Sequence, residues 1–406
     1  MNYKLFITDQ LEEQSLYYDP ASSLYSKLTS DEDLSDKELD TLLKRIGYSK
    51  QMINQKLNHI KNLLNLLTKH LIYTDYDKAE FVYSEITAYA DFISYTPHHV
   101  MALLLKNRFH IAKYEYDKIP PIHKALKKKR KEFTPLEELL YEYLLGLHEM
   151  LKGELASAND RLDLVIQSTP TLFGFEGEVY YHLSIVKTYL EEPSRAIYYG
   201  KKALDYLSQQ YNYKRILHAQ MSLAINCAHA KIYEDAAEYY EHLLRNAQLL
   251  NQQELIPHIY HNMGDLYYKM GNYSMALAYF NMAVNHYGKE DLQFGNCLFN
   301  LGLTELELKK KDDAKATFTR LLEVSERFGF ENFRIYANYY LLELDGQIEE
   351  SMKYLENVLL PYTSATPTEK TVHLLFSDML VRYYKNKGQY KKAFSYITDE
   401  KYNEKS

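Results

Sequence analysis

Tryptophan is absent from this chain of 406 residues, cysteine occurs only at 227 and 297, and no run of about 18 apolar residues exists. The two cysteines have no neighbouring cysteine and no histidine pair at ligand spacing. A disulfide framework and a zinc site are therefore excluded, and buried free thiols are expected. The missing apolar run excludes a membrane-spanning helix. The opening MNYKLFITDQLEEQ turns acidic before an apolar segment develops, so no signal peptide is read there, and a cytoplasmic protein with no membrane partner is expected. Only 10 prolines and 14 glycines argue against a strand-and-turn architecture and for long helices. A basic excess is also missing. The net charge of −7 excludes a wholly basic nucleic-acid binder, so any phosphate contact must be local. No GxSxG, GxxxxGK[ST], HExxH or CxxC occurs, and we expect no enzyme, no catalytic residue, no cofactor and no metal.

What is abundant is tyrosine, at 41 residues, and it falls at helical spacing, where an aromatic stripe packs one helix on another. The clearest stretch runs from Pro257 to Tyr287. Tyr260, Met263, Gly264 and Tyr267 form one apolar stripe, Gly271-Asn272 supplies a turn, and Tyr273, Ala276, Phe280 and Ala283 form a second stripe. A glycine inside a helix costs about 1 kcal/mol relative to alanine, so Gly264 is read as room for a neighbouring helix, with Ala276 the second point of close approach. This helical hairpin resembles the tetratricopeptide (TPR) repeat, without its usual Trp and Pro.

The residue equivalent to Ala276 recurs as Ala79, Ala112, Ala158, Ala196, Ala236, Ala276, Ala314, Ser351 and Ala393, at spacings of 33, 46, 38, 40, 40, 38, 37 and 42. The expectation is an all-α, right-handed superhelical TPR solenoid of about nine hairpins over residues 51–403, with a concave surface lined by first helices. Ala236, Gly264, Ala276 and Gly302 should lie buried at helix crossings. One insertion, near 120–135, should separate the second and third repeats. Pro120-Pro121 would end a helix, Thr134-Pro135 would start the next, and the basic run Lys127 to Lys131 would be a solvated face or a contact for an acidic partner.

Residues 1–48 read as a separate small helical unit with ten acidic and five basic residues. Ser35 should cap a helix whose face carries Leu39, Leu42, Leu43 and Ile46. The order SSLYSKLTSDEDLSDKELDTLLKRIG resembles the second half of a repressor-type helix-turn-helix. Its recognition helix would offer Ser22, Ser23, Ser26 and Lys27 to DNA, with no basic first helix to support them.

A small N-terminal unit of this kind followed by nine long TPR hairpins resembles the peptide-pheromone receptors grouped as Rap, NprR, PlcR and PrgX, most of all the NprR type. The resemblance implies an intracellular receptor for a short oligopeptide bound in the TPR groove, a homodimer, and an output through DNA or through a protein such as a response regulator. A TPR scaffold joining proteins, without a peptide signal, is the alternative.

An extended peptide loses water from its N–H and C=O groups on binding, and asparagine amides can replace both kinds of bond. Asn262 and Asn300 each stand two residues before a glycine of a first helix, Gly264 and Gly302. With them we group His258, His261 and Asn296 on the preceding turns, and Tyr336 and Tyr340 as walls of apolar pockets. The pair His258 and His261, with Asp265 one turn on, shares a helix face that could hold a metal, but a groove lining is the preferred reading.

Overall fold

Every regular element among the described residues is helical, and the helix ends follow from local chemistry. The computed structural model describes residues 1–16, 23–30, 32–168, 174–288, 290–366 and 370–397. By its packing the chain divides into two units, Met1–Ala230 and Lys231–Ser406.

The first unit opens with α1 (Tyr3–Glu13), α2 (Ser23–Thr29) and α3 (Asp36–Arg45). Helices α4 (Lys50–Ile72) and α5 (Tyr76–Thr87), the short α6 (Ala90–Ser94), α7 (His99–Ala112), α8 (Ile119–Lys129), α9 (Pro135–Leu151), α10 (Leu155–Gln167), α11 (Glu176–Tyr189), α12 (Pro193–Gln209) and α13 (Tyr213–His229) follow. The second unit contains α14 (Tyr233–Leu249), α15 (Ile256–Lys269), α16 (Tyr273–His286), α17 (Leu292–Glu307), α18 (Lys311–Phe328), α19 (Glu331–Leu344), α20 (Ile348–Tyr354), α21 (Leu360–Ala365), α22 (Lys370–Asn386) and α23 (Tyr390–Phe394). Ser35 with Glu38, and Thr134 with Glu137, form reciprocal capping boxes at the starts of α3 and α9. None of the described helices is long and apolar enough to cross a membrane.

The repeat is set by the turn that follows each first helix. Thr74, Tyr114, Gly153, Glu191, Lys231, Gly271, Lys309, Gly346 and Gly388 all have φ between 54° and 79°. This left-handed residue lets its own amide and the next one return to the carbonyls of the last helical turn. Gly271 donates to Tyr268 at 2.9 Å and Asn272 to Tyr267 at 2.9 Å, and Lys309 and Lys310 repeat the pattern. Five of the nine are not glycine, and each of those five bears a steric cost that the turn geometry must offset.

The intervals between these residues are 40, 39, 38, 40, 40, 38, 37 and 42, smoother than the series expected from alanines. The small residue of the second helix stands five positions after the turn residue in eight of nine cases. The exception corrects the sequence reading of the second repeat. Ala112 ends the first helix α7, and the matching position is Ile119, which is fully buried. The supposed insertion is therefore the second helix of that hairpin. Pro120 and Pro121 begin α8 rather than ending a helix, because the first turn needs no proline N–H. Lys127 to Lys129 fall in the last turn of α8, where cations meet the negative helix end, and Arg130 bridges Glu138 and Glu142 of α9.

The crossings are packed as expected. Ala236 and Ala276 are fully buried, and a Cβ added to Gly264 or Gly302 would stand 2.7 Å from the ring of Phe280 or Phe318. The same slot, seven positions before the turn residue, holds Gly146, Ser184 and Ala224, but also Asn107, which is buried with no partner for its amide among the described residues.

Residues 1–48 do not stand apart as expected. Phe6, Ile7, Leu11, Leu42, Leu43 and Ile46 share one core with Ile53, Leu67, Val82, Phe92 and Phe109, so the chain's division falls after Ala230 instead. The apolar face of α1 to α3 is too small to bury itself and closes on the first hairpins. A second tie within this unit joins distant turns. Asn212 donates to the Ile72 carbonyl at 2.9 Å, the Tyr73 hydroxyl to the Gln210 carbonyl at 2.9 Å, and Gln210 to the Gly174 carbonyl at 3.2 Å.

Candidate functional site

Counting back from the left-handed turn residue gives the register of every first helix. In five of the nine first helices the position nine back is polar, Asn65, His182, Ser222, Asn262 and Asn300, and thirteen back in the same five lie Lys61, Glu178, His218, His258 and Asn296; the other four helices carry Leu105, Leu144, Ala337 and Met379 nine back. The two positions are four residues apart and share one helix face. Asn65 occupies the slot of Asn262 and Asn300, and the sequence reading missed it although the same count was available there.

In the second unit, His258, Asn262, Asn296 and Asn300 are all half-buried on this face. Asn296 and Asn300 lie one turn apart on α17, and their amides have no partner among the described residues. The ring of Tyr287 meets His258 edge-on at 5.4 Å, with its hydroxyl 3.4 Å from Nδ1. The other three expected residues are placed differently. His261 stands ten positions before Gly271, one step round the helix from Asn262, and is buried with its ring 5.6 Å from that of Phe280. Burial pushes its pKa down to about 4, so its ring is neutral and its Nδ1 has no partner. Tyr336 and Tyr340 are 1% and 3% exposed. Tyr340 is stacked on Phe318 at 4.7 Å and Tyr336 lies 5.2 Å from Phe299, so both rings serve the core and neither walls an open pocket as expected. No group of three or more metal-ligating side chains occurs among the described residues, the His258, His261 and Asp265 set included.

In the first unit the same face holds a buried charge cluster that local sequence patterns do not reveal. Glu178 of α11 is fully buried. It accepts from Arg108 of α7 at 2.9 Å, from Arg215 of α13 at 3.1 Å and from the Tyr143 hydroxyl of α9 at 2.9 Å. Burial alone would raise its pKa, but the two guanidiniums outweigh burial and hold it at about 2. His182 lies 3.1 Å from the Tyr143 hydroxyl. Burial, then Arg215, push it down to about 3, so it is a neutral hydrogen-bonding group. Beside this cluster a cavity of 360 Å³ opens between α4, α7 and α9, lined by Lys61, Leu64, Asn65, Thr68, Met101, Leu136, Leu140 and Phe175.

The N-terminal candidates are only partly described. Ser22 lies outside the described residues and Ser23 is known only as the first backbone position of α2. Ser26 is exposed. Lys27 is held by Glu38 of α3 at 2.9 Å, a carboxylate that also accepts from Ser35.

Comparison with known proteins agrees with this architecture. The tetratricopeptide repeat family matches residues 215–289 and 255–327. Regulatory protein RapD of Bacillus subtilis (strain 168) is 24% identical over 269 residues, covering 64% of this chain and 75% of RapD. Transcriptional activator NprA of Geobacillus stearothermophilus is 22% identical over 379 residues, covering 88% of this chain and 91% of NprA. The apo form of the quorum sensor NprR from B. thuringiensis superposes with a TM-score of 0.70 at 21% identity, over 84% of this chain and 97% of NprR. The chain is similar in sequence to RapD and NprA and shares the TPR fold of NprR. NprR in complex with its cognate peptide NprX also shares the fold, with a TM-score of 0.60 at 21% identity over 83% of this chain and 96% of that one.

Proposed function

We propose that this chain is a cytoplasmic receptor for a short signalling peptide, bound extended along the first-helix face, and that peptide occupancy controls a regulatory output. The observation that carries this reading is the repeated, half-buried amide, Asn262 and Asn300 nine positions before successive turn residues, with Asn296 one turn away. A desolvated peptide backbone needs donors and acceptors together, and the asparagine amide supplies both. The fold shared with NprR, a protein solved with its peptide NprX, supports it.

Calorimetric titration with synthetic peptides taken from short reading frames beside the gene tests it. Asn262→Ala and Asn300→Ala should leave the fold intact and each weaken binding by about 1–3 kcal/mol, the cost of a desolvated group left unpaired. Unchanged affinity in both variants would remove these residues from the site. Failure of every such peptide to bind would favour a TPR scaffold.

For the output, we infer a protein partner rather than duplex DNA. Lys27, the single basic residue of α2, is taken by Glu38, and the N-terminal 48 residues carry ten acidic against five basic groups. Phosphate contacts depend on several free cations and helix termini.

A further inference from the structure

The cavity of 360 Å³ in the first unit differs from the amide-bearing face of α15 and α17 in size and in chemistry. Ligand pockets start at about 300 Å³, so this one has room for a single apolar group and the atoms next to it, not for an extended peptide. Its walls are Leu64, Met101, Leu136, Leu140 and Phe175. Its polar groups all come from one side, the face of α4, where Lys61, Asn65 and Thr68 stand at i, i+4 and i+7.

The Lys61 ammonium is exposed and makes no ion pair or hydrogen bond with the described residues. The Asn65 amide is also exposed and unbonded, and the Thr68 hydroxyl donates to the Leu64 carbonyl at 2.9 Å, which leaves an oxygen lone pair. The carboxylate of Glu137, which acts on His98 at this edge, accepts from the backbone amide and the hydroxyl of Thr134 at 2.9 and 2.8 Å. His98 borders the same edge. Burial lowers its pKa first, Lys61 and the chain's amino terminus push the same way, and Glu137 pushes against them. Lys61 is therefore an ammonium without an ion-pair partner among the described residues at the rim of an apolar pocket, while the Glu137 carboxylate is turned to Thr134.

We propose that this cavity binds a carboxylate that carries one apolar group, with the apolar group against Leu140 and Phe175 and the carboxylate between Lys61 and Asn65. A compact ammonium matches a single negative charge, whereas a phosphate would call for a forked guanidinium or further cations. Two sources share this chemistry, a free short-chain carboxylic acid and the C-terminal residue of an oligopeptide. The site does not depend on the peptide reading, because it uses none of the residues of α15 or α17.

The test uses the full chain with 13C-methyl-labelled methionine, the Met101 signal being assigned through Met101→Leu. Hexanoate, 1-hexanol, acetyl-Gly-Gly-Leu and its C-terminal amide are titrated in turn. We expect the Met101 methyl to shift saturably with at least one of the two acids, more strongly than with its uncharged counterpart. Lys61→Gln, an exposed change that leaves the fold intact, should weaken that acid about tenfold or more. Tighter binding of the tripeptide acid would identify a peptide terminus as the source, and tighter binding of hexanoate a free acid. No saturable shift with either acid, equal binding of the alcohol or amide, or unchanged affinity in Lys61→Gln would overturn the proposal.

Discussion

Replacing Glu178 by glutamine tests the buried cluster of the first unit most directly. The change keeps the shape and removes the charge, so Arg108 and Arg215 would face one another across a neutral amide in a site closed to water. Removing one partner of a buried ion pair costs about 3–5 kcal/mol. The carboxyl itself gives a second figure. A fall in pKa from 4.5 to about 2 is a factor of about 300 in acidity, or about 3 kcal/mol. Because this pKa is depressed in the folded state, its contribution is fully present above about 4.5 and is lost as pH falls through about 2. The stability difference between the parent and Glu178→Gln, from urea unfolding followed by circular dichroism, should be about 3 kcal/mol at pH 7. It should shrink to about 2 kcal/mol at pH 3.5. A difference that stayed constant with pH would show that the loss comes from packing, and a difference below 1 kcal/mol at pH 7 would refute the ionic reading of the cluster.

Four further outcomes are expected. Gly302→Ala gains about 1 kcal/mol of helix propensity but drives a methyl into Phe318, which is fully buried and stacked on Tyr340, so a net loss of about 1 kcal/mol should appear in thermal or urea melts. Ala276→Leu should lose about 1–3 kcal/mol for the same reason, and a variant as stable as the parent would contradict the crossing. Glu191→Gly should be neutral or stabilising by up to about 1 kcal/mol, since a left-handed φ of 58° strains any side chain, and a loss on melting would mean that the Glu191 side chain has a role of its own. Gel-shift assays of the full chain with duplex DNA at physiological salt should show weak binding that drops as salt rises, and tight binding would reverse the inference that the output is a protein contact.

The parts of the fold that the sequence displayed are those that repeat locally. Gly264 before Phe280 and Gly302 before Phe318 mark crossings within a single hairpin, and the glycine turns mark its bend. The second hairpin was misread because Phe109, Ala112 and Tyr116 imitate the frame of a second helix, while its true small-residue slot holds Ile119. The helical stripe also resolves position only to about one residue. His261 and Asn262 are neighbours in sequence and 100° apart on the helix, and that rotation separates a core ring from a half-buried amide. Tyr336 and Tyr340 were misjudged for a related reason, since aromatic rings that could wall a groove are equally suited to filling a core. The cluster of Arg108, Tyr143, Glu178 and Arg215 left no local signal at all, because its members lie up to 107 residues apart on four helices.

The bonds from Asn212 to Ile72 and from Tyr73 to Gln210 bear on the order in which the first unit comes apart. In a linear array each repeat holds only its neighbours, so melting starts at an end and travels inward. Here the turn after α4 is fastened to the turn before α13, about 140 positions later. Closing so long a loop costs only about 1 kcal/mol more than closing one repeat, because the entropy grows with the logarithm of length. The late contact is therefore inexpensive once the hairpins exist, and it removes the free end. Amide hydrogens in the last turn of α4 would then exchange together with those at the start of α13, as one cooperative group, although each belongs to a different repeat.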